Sequence, residues 1–340
     1  MSESAPDDSI EDRIKGNRYW MLLLTRGNRW NIIAVVLAVI FCLLVILSQL
    51  GLAPIRRVAA TQNGLRYLFS AFIGAIITGT SVVVTINQLV LSQELGAIGD
   101  QRTRMQESMT FQRDVESVLD IGISPPEPAA FLSELVDAIQ SRANQLAETA
   151  DARDTDLEKQ VEDFSEEVTR NADEVTTTLE TAQFGTFDVI WAALAFNYSW
   201  KVHTARKIRD QHSGSLSDAA TETLDELLEL LKFFGEAREH FKTLYFQWEL
   251  INLSRALLYI AIPALVVMAG LILYVDNTTL AGTTLGVDNL VWVASAGFTI
   301  GIAPFVVFTV FIMRIITVAK RTLAMGPFIL RETNKEYDVE

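Results

Sequence analysis

The side chains best suited to chemistry in this sequence are three histidines, one cysteine and a stripe of uncharged polar residues. The histidines are His203, His212 and His240, and their spacing does not match the His-Glu-x-x-His pattern of a helical zinc site. Cys42 is the only cysteine, which excludes a disulfide framework and a cysteine-based zinc cluster. The sequence contains no Walker loop, dinucleotide fingerprint or nucleophile elbow. We therefore expect no enzyme activity, no catalytic residue, no metal site and no cofactor.

The polar stripe lies in an apolar segment, residues 67–93, that contains no charged residue. Its members are spaced three or four apart, which places them on one face of a helix. In a membrane helix, such a face either contacts another helix or lines a hydrophilic pathway. Both interpretations are open for the five residues, which are Thr78, Ser81, Thr85, Gln88 and Ser92.

Small residues in two apolar segments predict close helix packing, because they let helix backbones approach each other. We expect this contact to lie between subunits, with packing inside one subunit as the alternative. The candidate packing residues are Gly74, Gly79, Gly297 and Gly301.

Two prolines, Pro263 and Pro304, are candidate kinks because each removes a backbone hydrogen bond from a helix.

Four segments without Asp, Glu, Lys or Arg each provide about the 20 residues needed to cross a bilayer. They predict two transmembrane hairpins, at residues 31–93 and 254–316. An N-terminal tail with an interfacial segment, residues 1–30, and a C-terminal tail, residues 317–340, complete this organisation. The four predicted transmembrane helices cover approximately residues 31–52, 67–92, 254–275 and 289–314.

The 160 residues between the hairpins, 94–253, contain 31 acids and 14 bases, so they are more negative than the whole chain at −14. Proline is confined to residues 125–128 in this region and glycine is sparse, which favours long helices. We expect transmembrane helix two to run past Gln93 into residues 101–119, and Ser215 or Ser217 to be the N-cap of the last helix of this region. The fold class we predict is an all-α integral membrane protein. It has four transmembrane helices and a long-helix cytoplasmic bundle inserted between helices two and three.

Two features stand out within this acidic region. A seven-residue repeat in residues 155–182 has an apolar row and a half-polar row, and its roughly three heptads favour packing in a bundle over a free coiled coil. A basic cluster after the next apolar run is interpreted as complementing a helix C-terminus and pairing with nearby acids. Contact with anionic lipid headgroups is the alternative. The basic cluster is Lys201, Arg206, Lys207 and Arg209, and the half-polar row is Leu157, Phe164, Asn171 and Thr178.

Five basic residues precede the first span and five follow the last, whereas the short segment 276–288 has none. The positive-inside rule therefore predicts a multi-pass plasma membrane protein with both termini cytoplasmic. Three arginines in the loop between helices one and two disagree with this orientation. Asn277 lies on the outer side in this topology and is a candidate glycosylation site.

The acidic composition, 42 acids against 28 bases, leads to two further expectations. It is typical of a halophilic protein working in molar salt, where charges are screened within roughly 3 Å. An acidic protein of an ordinary cell is the alternative. Nucleic acid is not an expected partner, because phosphate binding requires positive charge.

These patterns predict a non-enzymatic protein of the lipid bilayer. We expect a homo-oligomeric scaffold or signal-coupling element that acts through its acidic cytoplasmic helical domain, with a cytoplasmic protein as a candidate partner. The alternative is an oligomeric ion channel or passive pore lined by the polar face of transmembrane helix two. Proton-coupled transport is disfavoured because the four apolar segments, 31–55, 67–93, 256–275 and 289–313, contain no Asp, Glu, Lys or Arg.

Overall fold

The computed structural model describes residues 28–52, 55, 57, 64–149, 155–182, 187–275 and 280–321. These residues are predominantly helical. The elements in chain order are α1 (Arg29–Gln49), α2 (Gly64–Glu94), α3 (Ile98–Leu119), α4 (Pro128–Thr149), α5 (Thr155–Thr181), α6 (Phe187–Ala195), α7 (Tyr198–Gln211), α8 (Asp218–Tyr274), β1 (Thr283–Thr284), β2 (Val287–Asp288) and α9 (Asn289–Arg321).

Four of the helices, α1, α2, α8 and α9, are long and apolar enough to cross a membrane. This confirms the prediction of a helical chain with four such segments. A two-residue antiparallel hairpin, β1 with β2, precedes α9 in a region that the sequence indicated as a loop. Leu285 and Gly286 form its turn with φ of 56° and 76°, and glycine adopts this left-handed conformation without steric cost.

The described residues form two compact units. One, which we call the acidic bundle, consists chiefly of Ala97–Tyr245. The other, which we call the apolar bundle, consists of the described residues within Tyr19–Gly96 and Phe246–Val318. The first 28 residues of α8, up to Tyr245, therefore belong to the acidic bundle and the remainder to the apolar bundle.

The apolar bundle is built from α1, α2, the second part of α8, and α9. Helix α2 contributes a row at seven-residue spacing, Phe69, Ile76 and Val83. All three side chains are buried. Seven residues are about two helical turns, so this row defines one inward face. The row packs with apolar side chains of the other helices, including Ile33 of α1, Ala261, Ala264 and Met268 of α8, and Val307 and Phe311 of α9.

The acidic bundle buries one face of each of several amphipathic helices and leaves the acids outside. Helices α4 and α5 pack along each other, and the heptad row predicted in α5 lies in the core. Helix α8 contributes Leu227, Leu231 and Phe234, all fully buried. The side-chain hydroxyl of Ser217 accepts from the backbone amide of Ala220 at 3.1 Å and caps α8, as the sequence predicted.

One prediction about helix continuity is wrong. We expected transmembrane helix two to continue beyond Gln93 into the segment 101–119, but α2 ends at Glu94 and α3 begins at Ile98. Ala97 has an extended conformation, with φ −61° and ψ 156°. Gly96 precedes it, and a glycine inside a helix is unfavourable by about 1 kcal/mol relative to alanine.

Candidate functional site

The candidate site predicted in the apolar segments is the polar stripe of α2, and all five of its residues lie on one exposed face. This face is opposite the buried row of Phe69, Ile76 and Val83. Among the described residues, the stripe therefore faces away from the core of the helices around α2. Within the described part of the chain no helix covers this face, so a pathway or a helix contact made by these residues calls for a further partner, such as another subunit.

Hydrogen bonding along the stripe is local. The Thr85 hydroxyl donates to the Ser81 carbonyl at 2.9 Å, and the Ser92 hydroxyl donates to the Leu89 carbonyl at 2.7 Å. Within the part of the chain that the structure describes, the side chains of Thr78 and Gln88 form no hydrogen bond. In a helix that crosses a bilayer, an amide without a partner is unfavourable, so Gln88 would be the residue of this face that most needs a neighbour.

The four candidate packing glycines have different surroundings. A Cβ added to Gly297 would lie 2.5 Å from a Leu271 methyl carbon and 3.2 Å from the Phe69 ring. One added to Gly301 would lie 3.0 Å from the Phe72 ring and 3.2 Å from the Met268 sulfur. These glycines accommodate side chains of α2 and α8 within the same chain.

The glycines of α2 have more space around them. A Cβ on Gly79 would be 3.6 Å from Phe305, an ordinary contact distance. A Cβ on Gly74 would have no neighbour within 4 Å. Gly74 lies on the exposed face that carries the stripe, so it extends that face with a position where another backbone has room to approach.

Enlarging the glycines of α9 is expected to destabilise the single chain. Gly297→Leu and Gly301→Leu should each lower the free energy of unfolding by about 1–3 kcal/mol, because the added side chains overlap α2 and α8. Thermal unfolding of the detergent-solubilised protein measures this, with Gly74→Leu as the matched control that should leave the monomer's stability unchanged. A dissociated oligomer with an equally stable monomer would instead place the α9 glycines between subunits.

The remaining candidates in the apolar segments are two prolines and one asparagine. Pro263 is exposed within α8 and Pro304 is buried within α9, and both helices continue through the proline as single elements. The candidate glycosylation site Asn277 lies outside the described residues.

A buried ion pair joins α1 to α8. The Arg29 guanidinium donates to both carboxylate oxygens of Glu249, at 2.7 and 3.0 Å. The Glu249 side chain is 1% exposed and that of Arg29 is 21% exposed. The Arg29 guanidinium carbon also lies 4.6 Å from the centre of the Phe311 ring of α9. One arginine thus links three helices by a bidentate ion pair and a cation–π contact.

A second buried cation lies inside the acidic bundle. Lys201 is fully buried, and its ammonium donates to the side-chain oxygen of Asn171 at 2.6 Å. The same ammonium lies 4.3 Å from the centre of the Phe196 ring. The amide nitrogen of Asn171 donates to the Ala195 carbonyl at 3.2 Å. Asn171 therefore connects α5 to the end of α6 and the first turn of α7.

The predicted basic cluster is divided by the structure. Lys201 lies buried in the core, in the first turn of α7, whereas Arg206, Lys207 and Arg209 are exposed on α7. Arg209, in the last turn of α7, pairs with Asp225 at 2.7 Å. Among the described residues of this cluster, only Arg209 combines a place at a helix C-terminus with an ion pair to an acid, as predicted.

Neither the histidines nor the acids form a recognisable metal site in the described part of the chain, where no group of three or more potential ligands was found.

Loss of solvation raises the pKa of Asp137. A hydrogen bond from Thr176 lowers this pKa, and repulsion by Glu180 and Asp173 raises it further. A raised pKa means that the folded state holds this proton more tightly than the unfolded state. The stabilisation is present at low pH and is lost as pH rises through the folded pKa.

The whole chain, residues 1–340, matches a family of unknown function (DUF7972). The chain belongs to this family. No curated protein and no solved structure matches it. Any functional conclusion about this family member therefore depends on its residues and geometry.

Sequence reasoning missed two of the groups described above. Sequence reasoning counts Arg29 only as one of the five bases before the first span, and Glu249 only as one of the 31 acids of residues 94–253. The available signal was the position of Glu249 among apolar and aromatic residues at the start of a hydrophobic segment, where an acid needs a partner. For Lys201, the signal was a lysine immediately following Trp200 in an apolar run.

Proposed function

We propose that this chain is a multi-pass membrane protein in which α1, α2, α8 and α9 span the plasma membrane and the acidic bundle lies in the cytoplasm. The distribution of basic residues at the two ends of the chain supports this orientation. Labelling by an impermeant maleimide on intact cells tests it in a Cys42→Ser background. A cysteine at Asn277 should react, and one at Ser4 or Glu340 should not.

The function we propose is a non-enzymatic, oligomeric scaffold or signal-coupling element that acts through the acidic bundle. The observation that supports it best is the continuity of α8 over 57 residues. Leu231 and Phe234 of this helix are buried in the core of the acidic bundle, and Ala264 and Met268 of the same helix are buried in the apolar bundle. A change of packing in either core would act directly on an element of the other.

The connection between α2 and α3 is suited to a different role. Residues 95–97 between α2 and α3 are not helical, so this connection lacks the continuous backbone hydrogen bonding of α8. In our proposal α8 is the coupling element, and the α2–α3 junction absorbs the displacement.

Hydrogen exchange of the full-length protein in nanodiscs tests the coupling. Leu231→Ala weakens the acidic core, and we expect faster amide exchange in α8 beyond Phe246 as well as near the mutation. Insertion of two glycines after Trp248 should abolish the distant effect because it interrupts the helix. The same insertion after Gly214, between α7 and α8, is the matched control and should leave the effect intact. Unchanged exchange beyond Phe246 in Leu231→Ala would contradict coupling through α8.

The alternative function, an oligomeric passive pore, is supported by the exposed polar face of α2. A pore lined by hydroxyl and amide groups can conduct ions without charged side chains. A ring of α2 helices would bring the five residues of the stripe to a common axis. Conductance of the protein in liposomes tests this directly. Gln88→Leu should change the conductance, and Ile77→Leu, on the same helix, is the matched control. Absence of conductance favours the scaffold.

A further inference from the structure

An open groove of about 1410 Å³ lies on the acidic bundle between α7 and α8. Its apolar floor includes Val202 of α7 and Leu228 of α8, both half-buried. Basic side chains line it from both helices, although the surrounding region is strongly acidic. None of these side chains participates in the ion pair of the apolar bundle or in the polar stripe of α2.

The base of the groove is held by close packing of Tyr198 against α8. A Cβ on Gly235 would lie 2.7 Å from the Tyr198 ring, so glycine is needed for this approach. The Arg238 guanidinium carbon lies 4.3 Å from the centre of the same ring. Tyr198 of α7 is therefore held against α8, and the base of the groove is preorganised.

Some charged groups lining the groove are already neutralised by neighbours. Arg209 pairs with Asp225, and Glu239 accepts from both Arg238 and Lys242. Three cations are different. Among the described residues, Arg206, Lys207 and Lys232 form no hydrogen bond or ion pair. Cations concentrated in a groove without protein partners are suited to an anion supplied from outside.

Two acids restrict the kind of anion. Asp210 and Glu236 also line the groove, one turn beyond Arg206 and Lys232 respectively. Their carboxylates repel a ligand that carries only negative charge, but they accept hydrogen bonds from hydroxyl or amino groups. The apolar floor favours a ligand that also has a hydrocarbon or aromatic part.

We propose that this groove binds a phosphate ester that carries hydroxyl or amino groups close to the phosphate. Arg206, Lys207 and Lys232 contact the phosphate oxygens, and Asp210 and Glu236 accept from the ligand's donors. Because the rest of the bundle is acidic, its long-range field repels an anion, and the ligand is held by direct contacts with these cations. This chemistry is shared by soluble nucleotides and by the headgroup of phosphatidylglycerol.

Calorimetric titration of the full-length chain in phosphatidylcholine nanodiscs tests the proposal, with adenosine monophosphate and glycerol phosphate as probes. We expect saturable binding that weakens about tenfold or more in the double variant Arg206→Gln with Lys232→Gln, because two charge-assisted contacts are lost. Lys159→Gln with Arg170→Gln removes the same charge from exposed positions on α5 and should leave the affinity unchanged.

Three results would overturn the proposal: no binding of either probe at millimolar concentration, equal loss in the control variant, or full affinity in the groove variant. Glu236→Gln tests the acids separately and should weaken adenosine monophosphate more than inorganic phosphate. If Glu236→Gln instead binds both probes more tightly by the same factor, Glu236 does not accept hydrogen bonds from the ligand's hydroxyl or amino groups.

The two sources of the ester are distinguished by the lipid. If the groove holds a headgroup, replacing phosphatidylcholine by phosphatidylglycerol should weaken the binding of adenosine monophosphate to the wild-type protein through competition. If the ligand is soluble, the affinity should be the same in both lipids. Both results are compatible with binding of a phosphate ester, which the groove variant and its control test separately.

Discussion

Replacing Arg29 by methionine is expected to lower the free energy of unfolding of the apolar bundle by about 3–5 kcal/mol, because it leaves a buried carboxylate without its partner. Glu249 is 1% exposed and accepts both of its strong hydrogen bonds from Arg29. Glu249→Met should be less harmful, since Arg29 is 21% exposed and retains its contact with Phe311. Denaturant unfolding of the protein in detergent micelles measures both values.

The double variant, Arg29→Met with Glu249→Met, should recover much of the loss, because two apolar side chains of similar length replace a desolvated pair. Arg255→Met is the matched control. Arg255 is exposed on α8 and forms no ion pair within the described ranges, so its removal should change stability little. Equal, additive losses for the two single variants would show that Arg29 and Glu249 do not act as a pair.

Replacing Asn171 by leucine is expected to destabilise the acidic bundle by about 3 kcal/mol. The substitution removes an acceptor from the fully buried ammonium of Lys201 and a donor from the Ala195 carbonyl. Buried polar groups that lose a partner incur most of their desolvation penalty, and a charged group incurs more than a neutral one. Hydrogen exchange should therefore accelerate in α5 and α7 of the full-length protein.

Asn144→Leu is a suitable comparison, because Asn144 also accepts hydrogen bonds in this bundle but from the hydroxyls of Ser165 and Thr169, at 2.9 and 3.1 Å. Hydroxyls can turn toward other acceptors, so this loss should be near 1 kcal/mol. Lys201→Met combined with Asn171→Leu should be more stable than the sum of the single effects. Strict additivity would mean that the Lys201–Asn171 hydrogen bond contributes nothing.

The heptad row of α5 illustrates what a periodic sequence predicts well. Apolar residues at seven-residue spacing require one buried face, and Val161, Val168 and Val175 are all in the core. The N-cap at Ser217 was equally predictable, since a serine before a long helix satisfies a free backbone amide. The end of α2 at Glu94 was harder to predict, because Gly96 is the one poor helix former among residues 95–97 and a single glycine does not always end a helix.

The sequence by itself determined the helical class, the four apolar helices, the spacing of the polar stripe and the location of the acidic region. Each follows from local composition or from a period of 3.6 or seven residues, which neighbouring helices do not alter. Only the tertiary structure decided which face of α2 is outside, that Gly297 and Gly301 accommodate side chains of their own chain, and that Arg29 meets Glu249. These depend on contacts between residues as many as 220 positions apart, and a periodic pattern contains no information about which helix will lie beside which.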